Sequence, residues 1–169
     1  MPWSRRHFGK YRGTVINNID PMQLGRIQVM VPDVTQVLPT SWAMPCVPIA
    51  GKQSGVFVVP QLGAGVWIEF EQGDPDYPVW VGGFWGIAAE VPALALAGIP
   101  GNPNIVMQTT AQNTFVLSDM PANQIMLKNT TGAMILVNEA GITISNGKGA
   151  TIVLAGPTVT INAGALVVT

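Results

Sequence analysis

Apolar and polar positions alternate along most of this 169-residue chain, a period of two that places alternate side chains on one face of an extended strand. In the first half, stretches rich in β-branched and aromatic residues run from Tyr11 to Ile16, Arg26 to Val31, Ala43 to Ile49, Val66 to Phe70 and Val79 to Phe84. Turn signals separate them, among them Asn17-Asn18-Ile19-Asp20-Pro21, Pro32-Asp33 and Glu71-Gln72-Gly73-Asp74-Pro75-Asp76. Five short strands predict a small closed barrel, because closure removes exposed strand edges. The OB-type Greek-key barrel is the commonest solution at this length.

From Phe115 onward an apolar-x-apolar pair recurs: Phe115/Leu117, Ile125/Leu127, Ile135/Val137, Ile142/Ile144, Ile152/Leu154, Val159/Ile161 and Leu166/Val168, at steps of 10, 10, 7, 10, 7 and 7 residues. Gly, Asn or Pro between successive pairs turns the chain, so the pattern predicts a strand-turn-strand ladder. As a single-chain parallel β-helix, seven strands would give little more than two coils, short of the roughly three repeats that stacking requires. Three chains about one axis satisfy the pattern better, with each contributing strands in turn and the apolar pairs meeting in a dry core. Phe115, Leu117, Ile125, Leu127, Ile135, Val137, Ile142, Ile144, Ile152, Leu154, Val159 and Ile161 are the expected trimer core. Each fully buried aliphatic contributes about 1.5–3 kcal/mol, so folding and trimerisation are expected to be coupled. A second small β-sandwich would use the same strands, but with more varied loops and more charged outer faces.

The two halves differ in composition. After residue 85 the only aromatic residue is Phe115, and thirteen of the seventeen Lys, Arg, Asp and Glu precede residue 105. Between them lie Gly86 to Pro92, then Leu94 to Ala97 and Gly98-Ile99-Pro100-Gly101-Asn102-Pro103-Asn104, where prolines and glycines block regular structure. The expected organisation is all-β: an N-terminal tail over 1–8, an OB-like five-stranded barrel over 9–85, a linker over 86–104 and an intertwined triple-stranded β-helix (β-prism) needle over 105–169.

The chain is 48% hydrophobic and only 10% charged, against roughly 25% charged in ordinary soluble domains, so self-association is the natural way to cover its surface. The segment Met1 to His7 lacks the apolar core of a secretory signal, and no run of 18 apolar residues occurs; the protein is expected to be made and kept in the cytoplasm. One cysteine, Cys46, excludes an intrachain disulfide, and with the single His7 it gives no zinc-type ligand cluster, so neither metal nor other cofactor is expected. A net charge of −1 argues against a general nucleic-acid binder.

Candidate chemistry is sparse. Glu69, Glu71, Asp74 and Asp76 read as a solvated turn, since calcium needs many oxygens in a defined loop and glycoside hydrolysis needs an enclosed cleft. Arg5, Arg6, His7, Lys10 and Arg12 form the one basic cluster, read either as a mobile, solvated tail or as a contact for acidic groups of a partner protein or for nucleic acid. Trp42, Trp67, Trp80 and Trp85 suit core or subunit packing better than base stacking, which also needs a positive track. No catalytic residue is expected.

The first half carries a recognisable set of motifs. Gly13-Thr14-Val15, Asn18-Ile19-Asp20-Pro21, Leu24-Gly25-Arg26-Ile27-Gln28-Val29, Ser41-Trp42, Pro45 and Ala50-Gly51 are followed by the long run from Pro60 through Glu69-Phe70-Glu71-Gln72-Gly73-Asp74-Pro75-Asp76-Tyr77-Pro78 to Gly82. This set resembles the spike barrel of contractile injection systems, the family of VgrG and phage baseplate assembly protein V. Asp20, Pro21, Gly25, Arg26, Glu69, Phe70, Gly73, Asp74, Pro78 and Gly82 are its barrel motif, and they read as architecture. The family's barrel is followed by a trimeric β-helix.

The resemblance implies a non-enzymatic homotrimer in a virion baseplate or tail-like particle. In that setting the barrel sits on a hub protein, and the needle contacts the target envelope transiently when the sheath contracts. Some relatives carry a lysozyme domain between barrel and needle, for which the linker is too short, and some phage spikes bind apical iron through a His-x-His pair absent from Leu166-Val167-Val168-Thr169. Those four residues, three of them apolar, are instead the expected surface for a PAAR-type tip protein. Two other classes stay in view: an OB-fold nucleic-acid-binding protein with an oligomerising β tail, and a β-helical polysaccharide lyase or hydrolase, which four scattered charges after residue 105 serve poorly.

Overall fold

Strand β1 (Tyr11–Asn17) lies at the centre of the first half, paired antiparallel with β2 (Gln28–Met30) on one side and with β6 (Gly65–Phe70) on the other. The computed structural model describes residues 6–168, which divide between Ala88 and Ala89 into two compact units.

In the first unit the strand order is β2-β1-β6-β7-β3, with β7 spanning Pro78–Phe84 and β3 spanning Met44–Pro45. The β3–β7 pair is parallel, whereas the others are antiparallel. A bridge between Ile27 and Ala43, bonded in both directions at 3.2 and 2.7 Å, joins the β2 end of the sheet back to β3 and closes the barrel. A four-residue helix, α1 (Pro32–Thr35), follows β2, and a small ribbon of β4 (Ala50–Gly51) and β5 (Ser54–Gly55) projects between β3 and β6.

Alternation decides which residues fill this barrel. Val15 from β1, Val29 from β2, Val66, Ile68 and Phe70 from β6 and Trp80 from β7 point inward with Ile27, Val31 and Ala43 to form one buried core. Gly13 completes the inward face of β1 because a Cβ there would stand only 3.1 Å from Ile68 Cγ1. The sequence leads one to expect a long third strand from Ala43 to Ile49, but only Met44–Pro45 pairs regularly. Pro45 and Pro48 lack the N–H that a ladder needs, and the chain leaves the sheet.

The second unit is one eight-stranded antiparallel meander: β8 (Ile105–Gln108), β9 (Thr114–Leu117), β10 (Ile125–Lys128), β11 (Ala133–Asn138), β12 (Gly141–Asn146), β13 (Thr151–Ala155), β14 (Thr158–Ile161) and β15 (Leu166–Val168). Each strand pairs with its sequence neighbours within the chain. This differs from the expectation that strands of three chains alternate. The connections are too short to lead anywhere but back beside the preceding strand, as at Glu139–Ala140 and Gly156–Pro157.

Residues 89–104 fold with this sheet. Asn104 donates from its backbone to the Ala95 carbonyl and from Nδ2 to the Leu94 carbonyl, and the Asn102 amide donates to the Asp119 carboxylate. Among the described residues, the only buried side chains of this unit are Thr114, Val116 and Met126.

Candidate functional site

The pairing registers of the second unit line up its apolar residues across the strands. Met107, Phe115, Leu127, Ile135, Ile144, Ile152, Ile161 and Leu166 are successive cross-strand partners and form one row. Ile105, Leu117, Ile125, Val137, Ile142, Leu154, Val159 and Val168 occupy the matching positions of a second. Alternation puts both rows on the same face, with neighbouring strands about 4.8 Å apart. All twelve expected core positions fall in these rows.

In the single chain this face is open. Leu117, Ile125, Leu127, Ile135, Ile142, Ile144, Ile152 and Leu154 are all exposed, Ile144 at 41%, although they lie in the middle of a well-bonded sheet. Soluble monomers rarely leave a contiguous apolar patch of this extent uncovered. The pair Ile105/Met107 escapes a reading that begins at Phe115, yet it lies ten residues earlier, the step seen again at Ile125 and Ile135, so the signal was present.

The opposite face is built differently. Val106, Val116, Met126 and Leu136 of β8–β11 are followed in register by Thr143, Val153 and Thr160, so the apolar character fades along the meander. Beside the apolar half, Ala93 and Leu94 of the preceding segment line a cavity of about 520 Å3 together with Gln108, Thr114, Lys128 and Met134. This face thus has a cover from its own chain. Of the four residues expected to meet a tip protein, Leu166, Val167 and Val168 form β15, where Leu166 is exposed, and Thr169 lies outside the described residues.

The barrel motif assembles around Asp20. Arg26 donates to its carboxylate from Nη2 at 2.6 Å and from Nε at 3.1 and 3.2 Å. The backbone N–H groups of Met22, Leu24 and Arg26 donate to the same carboxylate, whose side chain is only 3% exposed. The Arg26 guanidinium holds the Asp20 carboxyl far below the usual carboxylate range, with the three N–H groups adding to the effect against the opposing cost of burial. Asp20 in turn raises the Arg26 pKa above its ordinary value.

The loop is fixed from outside as well. Trp80 Nε1 donates to the Gly25 carbonyl at 3.1 Å, and Arg26 lies over the Trp42 ring. Gly25 has φ +77°, a conformation that favours glycine, and the Phe57 ring packs close against it, 3.1 Å from where a Cβ would stand.

The other motif residues sit at the β6–β7 end. Phe70 and Pro78 are buried cross-strand partners, Gly73 accepts the His7 N–H at 2.8 Å, and Gly82 lies where the β6–β7 register slips. Glu69 pairs with Lys10 at 2.5 Å and Asp74 with Arg6 at 3.6 Å. Arg12 covers Trp67 and Phe84. The basic residues from Arg6 to Arg12, read from sequence as a mobile tail or a partner contact, are therefore spent inside the barrel unit. Charge attraction and the His7–Tyr11–Phe70 ring cluster hold the segment down. Arg5 lies outside the described residues. No group of three or more His, Cys, Asp or Glu among the described residues is arranged to hold a metal ion.

Comparison with known families assigns each unit. Residues 11–85 match the type VI secretion system/phage-baseplate injector OB domain, and residues 104–167 match the phage baseplate V C-terminal trimerisation domain. The chain belongs to the phage baseplate V family. No curated protein matches it. A baseplate V chain is a structural component of a phage tail or related particle, and its C-terminal unit makes it a subunit of a homotrimer. The open face with its two apolar rows lies, but for Val168, within this baseplate V trimerisation domain. No helix among the described residues is long and apolar enough to cross a membrane.

Proposed function

We propose that this protein is the central spike of a contractile injection machine, and that its trimer forms by closing three copies of the aliphatic face on one another. The observation that carries this reading is the pair of unbroken apolar rows, fifteen described side chains in register on a face that, among the described residues, has no cover from its own chain. Covering what remains exposed of each contributes about 1 kcal/mol per side chain, repeated along every strand. Association of this kind is cooperative and dry.

In this reading the barrel seats on the baseplate hub, the trimerised sheets face the target envelope, and a PAAR-type tip covers the end formed by Leu166 to Thr169. The particle assembles in the bacterial cytoplasm. The protein's part in penetration is mechanical. Sheath contraction supplies the energy, and the chain supplies a body whose strands are each hydrogen-bonded on both sides over most of the sheet, so that load is shared rather than concentrated on a loop. The barrel's ion pairs and buried core serve the same end and require no chemistry from the protein.

The test begins with light scattering of the purified chain, expected to give the mass of three subunits. Electron microscopy of particles carrying a labelled barrel follows, before and after contraction. Label on the baseplate axis before contraction and displaced toward the envelope afterwards supports the spike reading; label that stays at the periphery rejects it.

A further inference from the structure

Between the loop held by Asp20 and the β4–β5 ribbon, the barrel surface opens into a groove of about 570 Å3. Leu24, Met44, Val47, Ile49, Phe57 and Trp80 line most of it, and none of the residues lining it is charged. The ribbon pairs only with itself, and among the described residues the backbone N–H groups of Phe57, Val58 and Val59 have no hydrogen-bond partner. One wall is rigid, since Gly25 is held by Trp80 and Arg26 by Asp20. A preformed, uncharged, apolar groove binds without first being ordered.

The same barrel carries a projection of matching chemistry. Val37 and Leu38 are 81% and 67% exposed, and no charged residue lies between Val34 and Trp42. Their corner is held in shape by α1, where Leu38 N–H donates to the Thr35 carbonyl at 3.0 Å and Thr35 Oγ1 donates to the Leu38 carbonyl at 2.6 Å. Strand β2 separates this corner from the groove, with Gly25 before the strand and Pro32 after it. One barrel therefore cannot fill its own groove with its own corner.

We propose that the barrels of the trimer meet one another, the Val37–Leu38 corner of each seating in the Leu24–Phe57 groove of the next. A contact between two different surfaces closes into a ring when a rotation axis relates the copies, and the trimerisation domain supplies a threefold axis. The same domain tethers the barrels at an effective concentration on the order of millimolar, so a contact too weak to hold free barrels together is occupied in the trimer. The occupant is a second copy of this chain, and the inference rests on the trimer alone, not on hub seating or penetration.

Disulfide trapping tests it. In a Cys46→Ser background, the full chain carrying both Leu38→Cys and Val58→Cys is expected to give a covalent trimer under mild oxidation. Chains carrying either cysteine alone are expected to yield no product beyond occasional dimers. If light scattering still reports three subunits while the double variant cross-links no better than the single ones, the inference fails and the trimer stands.

Hydrogen exchange on the unsubstituted trimer reads the same contact without relying on either cysteine. The amides of Phe57 to Val59 are expected to exchange at least about tenfold more slowly than in a Leu38→Asp trimer. Equal exchange overturns the proposal and leaves the groove to another baseplate component.

Discussion

Asp20 and Arg26 stand six residues apart in sequence and face each other across a forked ion pair, with Nη2 and Nε of the arginine both donating to the carboxylate. The pair ties the start of the β1–β2 connection to its end, and Asp20 also takes the N–H groups that the turn would otherwise leave unbonded.

This makes the barrel sensitive to acid in a defined direction. Because the Asp20 pKa is depressed by folding, its contribution to stability is fully present above the unfolded value of about 3.9 and is lost as pH falls below it. Melting temperatures measured from pH 7 down to pH 2.5 are expected to fall for the wild type. In Asp20→Asn the melting temperature should start lower at pH 7 and show a shallower acid slope. Equal slopes would mean that other carboxylates carry the acid dependence.

Trp80→Phe keeps the ring in the core but removes the Nε1 hydrogen that reaches the Gly25 carbonyl. The loss is expected to cost the barrel about 1–2 kcal/mol. Each kcal/mol lowers the melting temperature of a domain this size by roughly 4–8 °C, which calorimetry resolves readily.

Ile144→Asp places one carboxylate from each chain in the middle of an aliphatic row. Burying unpaired charge costs more than about 3 kcal/mol, so light scattering is expected to show monomers where the wild type gives trimers. Ile144→Val should remain trimeric, which separates the charge from the mere change of side chain.

The two units are expected to respond differently to that variant. Among the described residues the barrel has its own core of nine buried apolar residues, whereas the sheet buries very little within one chain. Hydrogen exchange of the Ile144→Asp monomer should leave amides of β1, β2, β6 and β7 protected while those of β8 to β15 exchange quickly. Protection retained throughout the sheet would show that it folds before it trimerises.

Sequence alone reveals the faces of these strands far better than their partners. Period-two alternation places Ile135 and Val137 on one side of a strand whether the neighbour belongs to the same chain or another, so the pairs were legible while the intrachain meander was not. Only the short turns at Glu139–Ala140 and Gly156–Pro157 hinted at it. The barrel strands were readable for the same reason, except β3, where proline at positions 45 and 48 cuts the ladder short despite an apolar run.

Lys10 and Arg6 illustrate a different limit. Their partners Glu69 and Asp74 lie some sixty residues away, and nothing in a local charge cluster tells a solvated tail from a clamped one. Asp20 and Arg26 belonged to a visible motif, but the role of Trp80 in holding Gly25 spans 55 positions and appears only in the fold.

Because β8 to β15 each pair only with the strands before and after them, the sheet is a modular ruler. Removing or duplicating one hairpin leaves every other register intact and preserves which side chains face which way, while the sheet changes by two strand spacings, about 10 Å. Reach in this protein is therefore set in whole hairpins, and a lineage can adjust it by gaining or losing short stretches of sequence without redesigning the barrel or the way the copies recognise one another.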